Sequence, residues 1–228
     1  GLVVQGDVGN DGGRDISVVG GQGAAPDCLR VTTWGVTVAG FTIRDIGWTG
    51  ITVAAFAEEG VARVERVALL GNTISAGWSA ISIATSGSNR VINHIDILQN
   101  RLVNNGGNGI AIDGAITSTS SNNRIANVTI RNNTIAKNFI AINASGTTRP
   151  GSTNNVISDL EISNNTIQGH TDTSILIGSG GEGSERNRIE TLFIRNNSIE
   201  NPEGDCGIEV VGGCDKNAKD NHVSHATI

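Results

Sequence analysis

Three carboxylates, Asp96, Asp159 and Glu161, occupy related places in a recurring segment of the chain. Two carboxyl groups about 5 to 9.5 Å apart can hydrolyse a glycosidic bond, one as general acid and the other as nucleophile or base. Arg131 and Arg195 belong to neighbouring copies of the segment and are candidates for substrate binding. The alternative is a solvated surface on which opposite charges of neighbouring strands favour one register. Both interpretations are open at this point.

Two tryptophans form a second candidate site. Trp48 and Trp78 each stand three residues before an isoleucine of a strand motif, so they should lie on adjacent repeats at one turn. Exposed there, their indole rings could stack on sugar rings, whereas a buried pair would cover the apolar core. In the later repeats the equivalent position is expected at Gly107, Lys137, Asp172 and Asp205. Trp48 and Trp78 are therefore candidate substrate-binding residues.

A group of aspartates near the N-terminus is the candidate metal site. Asp7, Asp11 and Asp15 alternate with glycines, and their oxygens could surround a calcium ion. No glutamate closes the segment as it does in a calcium-binding loop. Aspartate and glycine are also typical of a turn that joins two strands. Calcium is the one cofactor that the sequence suggests.

The candidate residues of the first two sites belong to a sequence repeat, which must determine their positions. The segment Val128–Ile135 returns at Leu160–Ile167 and at Leu192–Ile199, with weaker copies earlier in the chain. Its second asparagine recurs at steps of 28, 33, 32 and 32 residues, at Asn72, Asn100, Asn133, Asn165 and Asn197. A fixed period of this length indicates a repeat architecture.

The strands within each repeat are short. Apolar and polar residues alternate over three to five positions, and β-branched residues dominate. Strands of this length are stable only in a larger sheet, which successive coils provide by pairing in parallel about 4.8 Å apart. Parallel strands without helices between them predict a β-helix. Asparagines should then stack at the turns, with a second column at Asn123, Asn155, Asn187 and Asn221.

These motifs carry a resemblance to a known family. The Gly-Ile-x-Ile strands, such as Gly109–Ile112, and the Ile-x-Asn-Asn-x-Ile turns, such as Ile130–Ile135, resemble those of the pectin-lyase-like proteins. The resemblance covers roughly residues 16 to 228 and implies an all-β, right-handed, single-stranded parallel β-helix of about seven coils, of roughly 28 to 34 residues, with asparagine ladders. The family contains lyases, hydrolases, epimerases, adhesins and phage tail proteins, so its fold selects no function.

In enzymes of that family the active site usually lies on an outward strand face. The first strand of each coil should present two outward columns. One is Arg30, Thr52, Ser82, Ala111, Ala141, Leu176 and Glu209, and the next is Thr32, Ala54, Ala84, Asp113, Asn143, Gly178 and Val211. Asp113 and Glu209 are the only acids and should lie roughly 14 Å apart. That separation, together with the absence of the family's catalytic signatures, counts against a hydrolase on this face.

Composition narrows the classes of partner. The net charge of −6 and the lack of a basic stripe disfavour nucleic-acid binding, and no apolar run is long enough to span a membrane. We predict a single domain over residues 1–228, with an irregular coil at 1–26 and regular repeats at 27–228, as a fragment of a longer chain. The abundance of asparagine, glycine and threonine favours an extracellular or cell-surface protein.

Three functional hypotheses follow. The first is an exported β-helix module that binds polysaccharide or spaces other domains, and it is favoured over an enzyme. The second is a polysaccharide lyase or glycoside hydrolase, and the third is a surface or phage adhesin. Terminal coils of a repeat stack expose strand edges, so end-to-end self-association through residues 221–228 is also expected.

Overall fold

The computed structural model describes residues 2–5, 17–19, 27–147, 149–200, 206–213 and 217–228, the first two segments by their backbone alone. Within these ranges the chain forms strands and turns but no helix, and hence none that could cross a membrane. Every strand pairs in parallel with the equivalent strand of a neighbouring coil. The predicted all-β parallel β-helix is confirmed.

Three sheets run along the solenoid, and each coil contributes one strand to each sheet. Sheet A contains β1 (Leu2–Gln5), β4 (Val36–Ala39), β7 (Arg63–Leu70), β10 (Val91–Leu98), β13 (Arg124–Arg131), β16 (Val156–Ser163), β19 (Arg188–Arg195) and β22 (His222–Thr227). Sheet B contains β2 (Ser17–Val19), β5 (Thr42–Arg44), β8 (Thr73–Ser75), β11 (Arg101–Val103), β14 (Thr134–Ala136), β17 (Thr166–Gln168) and β20 (Ser198–Glu200). Sheet C contains β3 (Asp27–Val31), β6 (Thr49–Phe56), β9 (Ser79–Ser86), β12 (Asn108–Asp113), β15 (Ile140–Ser145), β18 (Ile175–Gly178) and β21 (Ile208–Val211).

The core consists of stacked aliphatic columns. In sheet C one such column is formed by paired residues that are all fully buried, namely Ile51, Ile81, Ile110, Ile142 and Ile175. Burial of each such side chain contributes about 1.5 to 3 kcal/mol relative to exposure. A strand of four to eight residues is therefore held mainly by the coils above and below it.

The long strands of sheet A bend at one residue in the left-handed region. The bend recurs in six coils with φ between 53° and 57°, at Arg66, His94, Asn127, Asp159, Thr191 and His225. The pairing between β10 and β13 passes over this position, since Asn93 pairs with Ala126 and Ile95 with Val128. The apolar-polar alternation is therefore interrupted once in each of these strands, which places Asp159 at a bend.

The asparagine ladders join the coils at two corners. Nδ2 of each ladder residue donates to Oδ1 of the next at 2.9 to 3.1 Å from Asn72 through Asn197. The same Oδ1 atoms also accept the backbone N–H of the preceding ladder residue at 2.8 to 3.0 Å. The second predicted column also forms, with hydrogen bonds that connect Asn123, Asn155, Asn187 and Asn221. Both predicted ladders are confirmed.

A third, shorter ladder was not apparent in the sequence. Nδ2 of Asn105 donates to Oδ1 of Asn138 at 2.9 Å, and both residues are buried. The buried ring of His170 follows in the next coil, with Nδ1 3.2 Å from the Asn138 carbonyl oxygen and Nε2 3.2 Å from that of Ile135. A histidine thus continues a column that begins with two asparagines.

His170 should make the stability of the fold depend on pH. Burial lowers the pKa of His170 below its ordinary value of 6.5, although hydrogen bonds to backbone carbonyls oppose the shift. In the unfolded chain the His170 ring takes up a proton near its ordinary pKa. The contribution of the neutral, buried ring to the free energy of unfolding is therefore complete above that pH, and it is lost as the pH falls towards the folded-state pKa. We expect the melting temperature of the wild type to fall more steeply between about pH 7 and pH 5 than that of His170→Asn. Parallel melting curves in circular dichroism would contradict this.

Candidate functional site

The outward face of sheet C carries a trench made of two adjoining cavities. The first has a volume of about 360 Å³, and its described lining includes Trp48, Trp78, Thr52, Asp113 and Arg149. The tryptophans precede the sheet C strands and form one side, whereas Arg149 comes from a loop that follows a strand. The second cavity, of about 310 Å³, lies further along the same face.

The strand register places the linings of the two cavities next to each other. Ala111 and Asp113 line the first cavity, and they pair with Asn143 and Ser145, which line the second. The floor column observed in the structure is Arg30, Thr52, Ser82, Ala111, Asn143, Leu176 and Glu209. We use the word trench for this face from Arg30 to Glu209.

The register corrects one part of the sequence prediction. Ala141 was expected beside Ala111, but Asn143 occupies that place because Ile142 pairs with Ile110. The number of residues between the sheet B strand and the following sheet C strand explains the difference. Ile140 lies too close to Ile135 of sheet B for the chain to turn, whereas Ile142 stands at the same separation from Ile135 as Ile81 does from Ile74. This spacing was visible in the sequence and would have identified the register.

The same correction changes the aromatic column. Backbone N–H groups connect successive coils at this turn, from Trp78 to Trp48, from Gly107 to Trp78, and from Phe139 to Gly107, at 2.6 to 2.8 Å. Phe139 rather than Lys137 therefore follows Gly107. The side chains of Trp48, Trp78 and Phe139 are 55%, 52% and 47% exposed, so this turn presents aromatic rings to solvent.

The tryptophan pair is held in a defined arrangement. The ring centroids of Trp48 and Trp78 lie 5.9 Å apart with an interplanar angle of 19°. Beyond them the Trp78 ring leans over Gly107, where an added Cβ would lie 3.0 Å from two of its atoms. The absence of a side chain at Gly107 thus leaves room for the indole, and the stacked pair lines one side of the trench.

Asp113 lies on the floor between Ala84 and Ser145. Burial raises the pKa of its carboxyl group to about 6, and the positive charge of Arg149 opposes the shift. The Nε of Arg149 donates to the backbone oxygen of Ile116 at 3.0 Å, so this guanidinium is tied to the edge of the cavity. Asp113 is therefore a carboxyl group that titrates close to neutral pH inside a cavity.

A buried hydroxyl belongs to the lining of the first cavity, that of Thr52. Thr52 is 3% exposed and its Oγ1 has no hydrogen-bond partner among the described residues. Buried polar atoms normally have a partner. At the same end Arg30 is engaged by Asp27 and Glu59 and lies 5.5 Å from the centre of the Phe56 ring. The floor of the cavity near Thr52 thus contains a hydroxyl without a hydrogen-bond partner among the described residues, and the charge of the neighbouring Arg30 is neutralised by carboxylates.

The second cavity adds two acids. Its described lining includes Asp172 and Glu209 but neither lysine nor arginine. Oδ1 of Asp172 accepts the backbone N–H of Thr173 at 2.8 Å, and the Thr173 hydroxyl donates to Oε2 of Glu209 at 3.4 Å. This end of the trench is acidic.

The carboxylates suggested by the sequence lie on another face. Asp96 and Glu161 are outward on sheet A, two coils apart in one column with Thr129 between them, as expected. Glu161 accepts hydrogen bonds from Arg195 and Ser163 at 2.9 and 2.8 Å, and these donors lower its pKa. Asp159 stands at the bend, 3.9 Å from Arg124.

Sheet A therefore holds a hydrogen-bonded and ion-paired surface at these positions. A carboxyl group whose pKa is lowered is poorly suited to act as a general acid. Arg131 is exposed and pairs in register with Ser163, which pairs with Arg195. The catalytic role of Asp96, Asp159 and Glu161 and the binding role of Arg131 and Arg195 stay predictions.

The candidate calcium site at Asp7, Asp11 and Asp15 lies outside the described residues. Within the described ranges no group of three histidine, cysteine, aspartate or glutamate residues is arranged to hold a metal ion.

The whole chain matches no family model, no curated protein and no solved structure. The parallel β-helix is thus the level at which the chain can be classified.

Proposed function

We propose that the protein is an exported β-helix module of the pectin-lyase-like type that binds an extended polysaccharide in the trench of sheet C. One observation carries the proposal: two stacked, half-exposed tryptophans line a cavity whose floor is polar. Aromatic rings with one accessible face can bury the apolar face of a sugar ring, while polar groups fix its hydroxyls.

The shape of the trench supports a chain rather than a single small ligand. Its two cavities follow one another along the solenoid, and together they hold about 670 Å³, the sum of 360 and 310 Å³. The aromatic column runs in the same direction, since Trp48, Trp78 and Phe139 lie at one turn of three coils, with Gly107 in the coil between Trp78 and Phe139. A linear polymer laid along the coils would contact both features.

Replacing Trp78 by alanine tests the proposal. Removal of a tryptophan that anchors a ligand typically costs about 2 kcal/mol or more, which is roughly a 30-fold loss of affinity. Because half of the ring is exposed, the melting temperature should change little. Isothermal titration against soluble polysaccharides would measure the loss.

Trp34→Ala is the matched control. Trp34 is 65% exposed and is not among the described residues that line the first cavity. The Trp34→Ala variant should therefore bind polysaccharide as the wild type does. Equal affinities of the Trp78 and Trp34 variants would argue against the trench, and the absence of binding to any polysaccharide would favour a spacer or an adhesin that acts through assembly.

A specific observation also favours the enzymatic alternative, a polysaccharide lyase or glycoside hydrolase. The pKa of Asp113 is about 6, close to the value that suits a general acid or base at neutral pH. Cleavage of the bound polymer would appear as new reducing ends, or as absorbance of unsaturated products in the case of a lyase. Activity that disappears in Asp113→Asn would support this alternative over simple binding.

A further inference from the structure

The charge of the trench bears on which polysaccharide it accepts. Four carboxylates line the two cavities, Asp27, Asp113, Asp172 and Glu209, against two arginines, Arg30 and Arg149. Arg30 is already engaged by Asp27 and Glu59. The described lining of the trench therefore carries an excess of negative charge and one arginine that is not already engaged by a carboxylate.

We propose that Asp113 makes the trench selective for an uncharged, hydroxyl-rich glycan, because its carboxylate accepts hydrogen bonds from sugar hydroxyls and repels the carboxylates of a polyuronate. This inference rests on the proposed function, and it names the substrate class and the residue that selects it.

The surroundings of Asp113 support that role. Its neighbours in the sheet, Ala84 of β9 and Ser145 of β15, are small and uncharged, and the only charge that acts on it noticeably is that of Arg149. The other charged residues that line the first cavity are Asp27 and Arg30, which are bound to each other. A ligand hydroxyl placed over Asp113 would thus find a carboxylate with few competing donors.

The unpartnered Oγ1 of Thr52 is an independent indication of a ligand. Thr52 lies in the column next to that of Asp113 and two coils nearer to the N-terminus, on the floor of the same cavity. A hydroxyl can donate or accept, and since Oγ1 is closed to solvent, a ligand hydroxyl reaches it when the Thr52 side chain rotates towards the cavity. Thr52 and Asp113 together therefore suit a ligand with hydroxyls on successive units.

Binding of such a ligand is linked to the charge of Asp113. A hydroxyl hydrogen bond to a carboxylate is stronger than one to a neutral acceptor, so the neutral glycan should prefer the charged form. The charged fraction of a group with a pKa of about 6 falls from about nine tenths at pH 7 to about one tenth at pH 5. Affinity for a neutral glycan should therefore decrease on acidification, by up to about tenfold.

The test uses matched probes: a soluble neutral glycan, and the same glycan after oxidation of its primary hydroxyls to carboxylates. Binding to wild type, Asp113→Asn and Asp220→Asn is measured by titration calorimetry at pH 7 and pH 5. Asp220 is an exposed acid that lines neither cavity of the trench, so its variant should behave as the wild type. Asp113→Asn should bind the neutral glycan about tenfold more weakly at pH 7, lose its pH dependence, and discriminate less against the oxidised probe.

The outcomes separate this inference from the proposed function. Two results would overturn the inference alone, provided that Trp78→Ala still weakens binding. One is a wild type that prefers the oxidised probe at pH 7, and the other is an affinity for the neutral glycan that is unchanged by pH and by Asp113→Asn. If neither probe binds, the proposed function fails and this inference fails with it. Because the wild-type pH profile is informative by itself, the test does not depend on the folding of the variant.

Discussion

Asn165→Ala is expected to lower the free energy of unfolding by about 3 kcal/mol, since several buried groups lose their partner at once and each costs roughly 1 to 3 kcal/mol. Oδ1 of Asn165 accepts both the backbone N–H and the side-chain amide of Asn133 at 2.9 and 3.0 Å. Its own amide donates to the Ile130 carbonyl oxygen and to Asn197 at 3.0 and 2.9 Å. Alanine can replace none of these bonds, and the site is closed to water.

The measurement is thermal unfolding followed by circular dichroism. For a chain of this size 1 kcal/mol corresponds to about 2 to 4 °C, so the melting temperature should fall by roughly 6 to 12 °C. Asn143→Ala is the matched control, because Asn143 is only half-buried, has a negative φ, and makes no side-chain hydrogen bond among the described residues. An exposed asparagine such as Asn104 is less suitable, since its φ of 57° would strain alanine.

Equal melting temperatures for the Asn165 and Asn143 variants would show that the ladder does not stabilise the stack. A loss confined to the coils that flank Asn165 would instead show that the solenoid unfolds in sections, as repeat proteins can. Amide exchange of the neighbouring ladder residues distinguishes a local from a global effect.

The ladders could be predicted because the same residue returns at a fixed step, and only stacking satisfies a row of buried amides. The third ladder has just two asparagines, and its column continues with His170, whose ring uses backbone carbonyls instead. No periodicity of residue type reveals such a column. It becomes visible only when corner lengths are compared from coil to coil.

The trench could not be predicted for a related reason. In the sequence Ser82, Ala84 and Ala111 are small, uncharged residues of the outward columns, and only the structure shows that they line a cavity. Sheet A has more charge, and several of its charged residues pair with one another, as Glu161 does with Arg195. The sequence shows which residues face outward, whereas the depth of a face depends on loops that pack beside it, such as the one that carries Arg149.

The raised pKa of Asp113 could not be predicted either. It results from burial of the carboxyl group in the folded chain, and the positive charge of the loop residue Arg149 acts in the opposite direction. In the sequence Asp113 is one aspartate in a neutral column, and only its distance from Glu209 was evaluated. The relevant property is the environment of a single carboxyl group rather than the spacing of two.

Gly109→Ala should destabilise the protein by about 1 to 3 kcal/mol, the usual cost of inserting a methyl group into a packed interior. An added Cβ would lie 2.6 Å from the Ile135 Cγ2 atom and 2.6 Å from the Ala141 backbone oxygen, and Asn138 Nδ2 would be 3.1 Å away. The φ of Gly109 is not in the left-handed region, so the expected loss comes from contact alone. The methyl group would press on the third ladder and on an isoleucine of sheet B together.

Gly207 opens the same Gly-Ile-x-Ile motif in a later coil and supplies the matched control, since no described residue lies within 4 Å of its added Cβ. Gly207→Ala should leave stability unchanged or raise it by up to about 1 kcal/mol, because alanine restricts the unfolded chain. If the two variants melt at the same temperature, the glycine of this motif is not required by packing, and its recurrence needs another cause. If only Gly109→Ala is destabilised, the size of the first residue of the motif is limited by how closely the sheet B isoleucine and the next coil approach it. This limit would explain why the position alternates between glycine and alanine at Gly50, Ala80, Gly109 and Ala141.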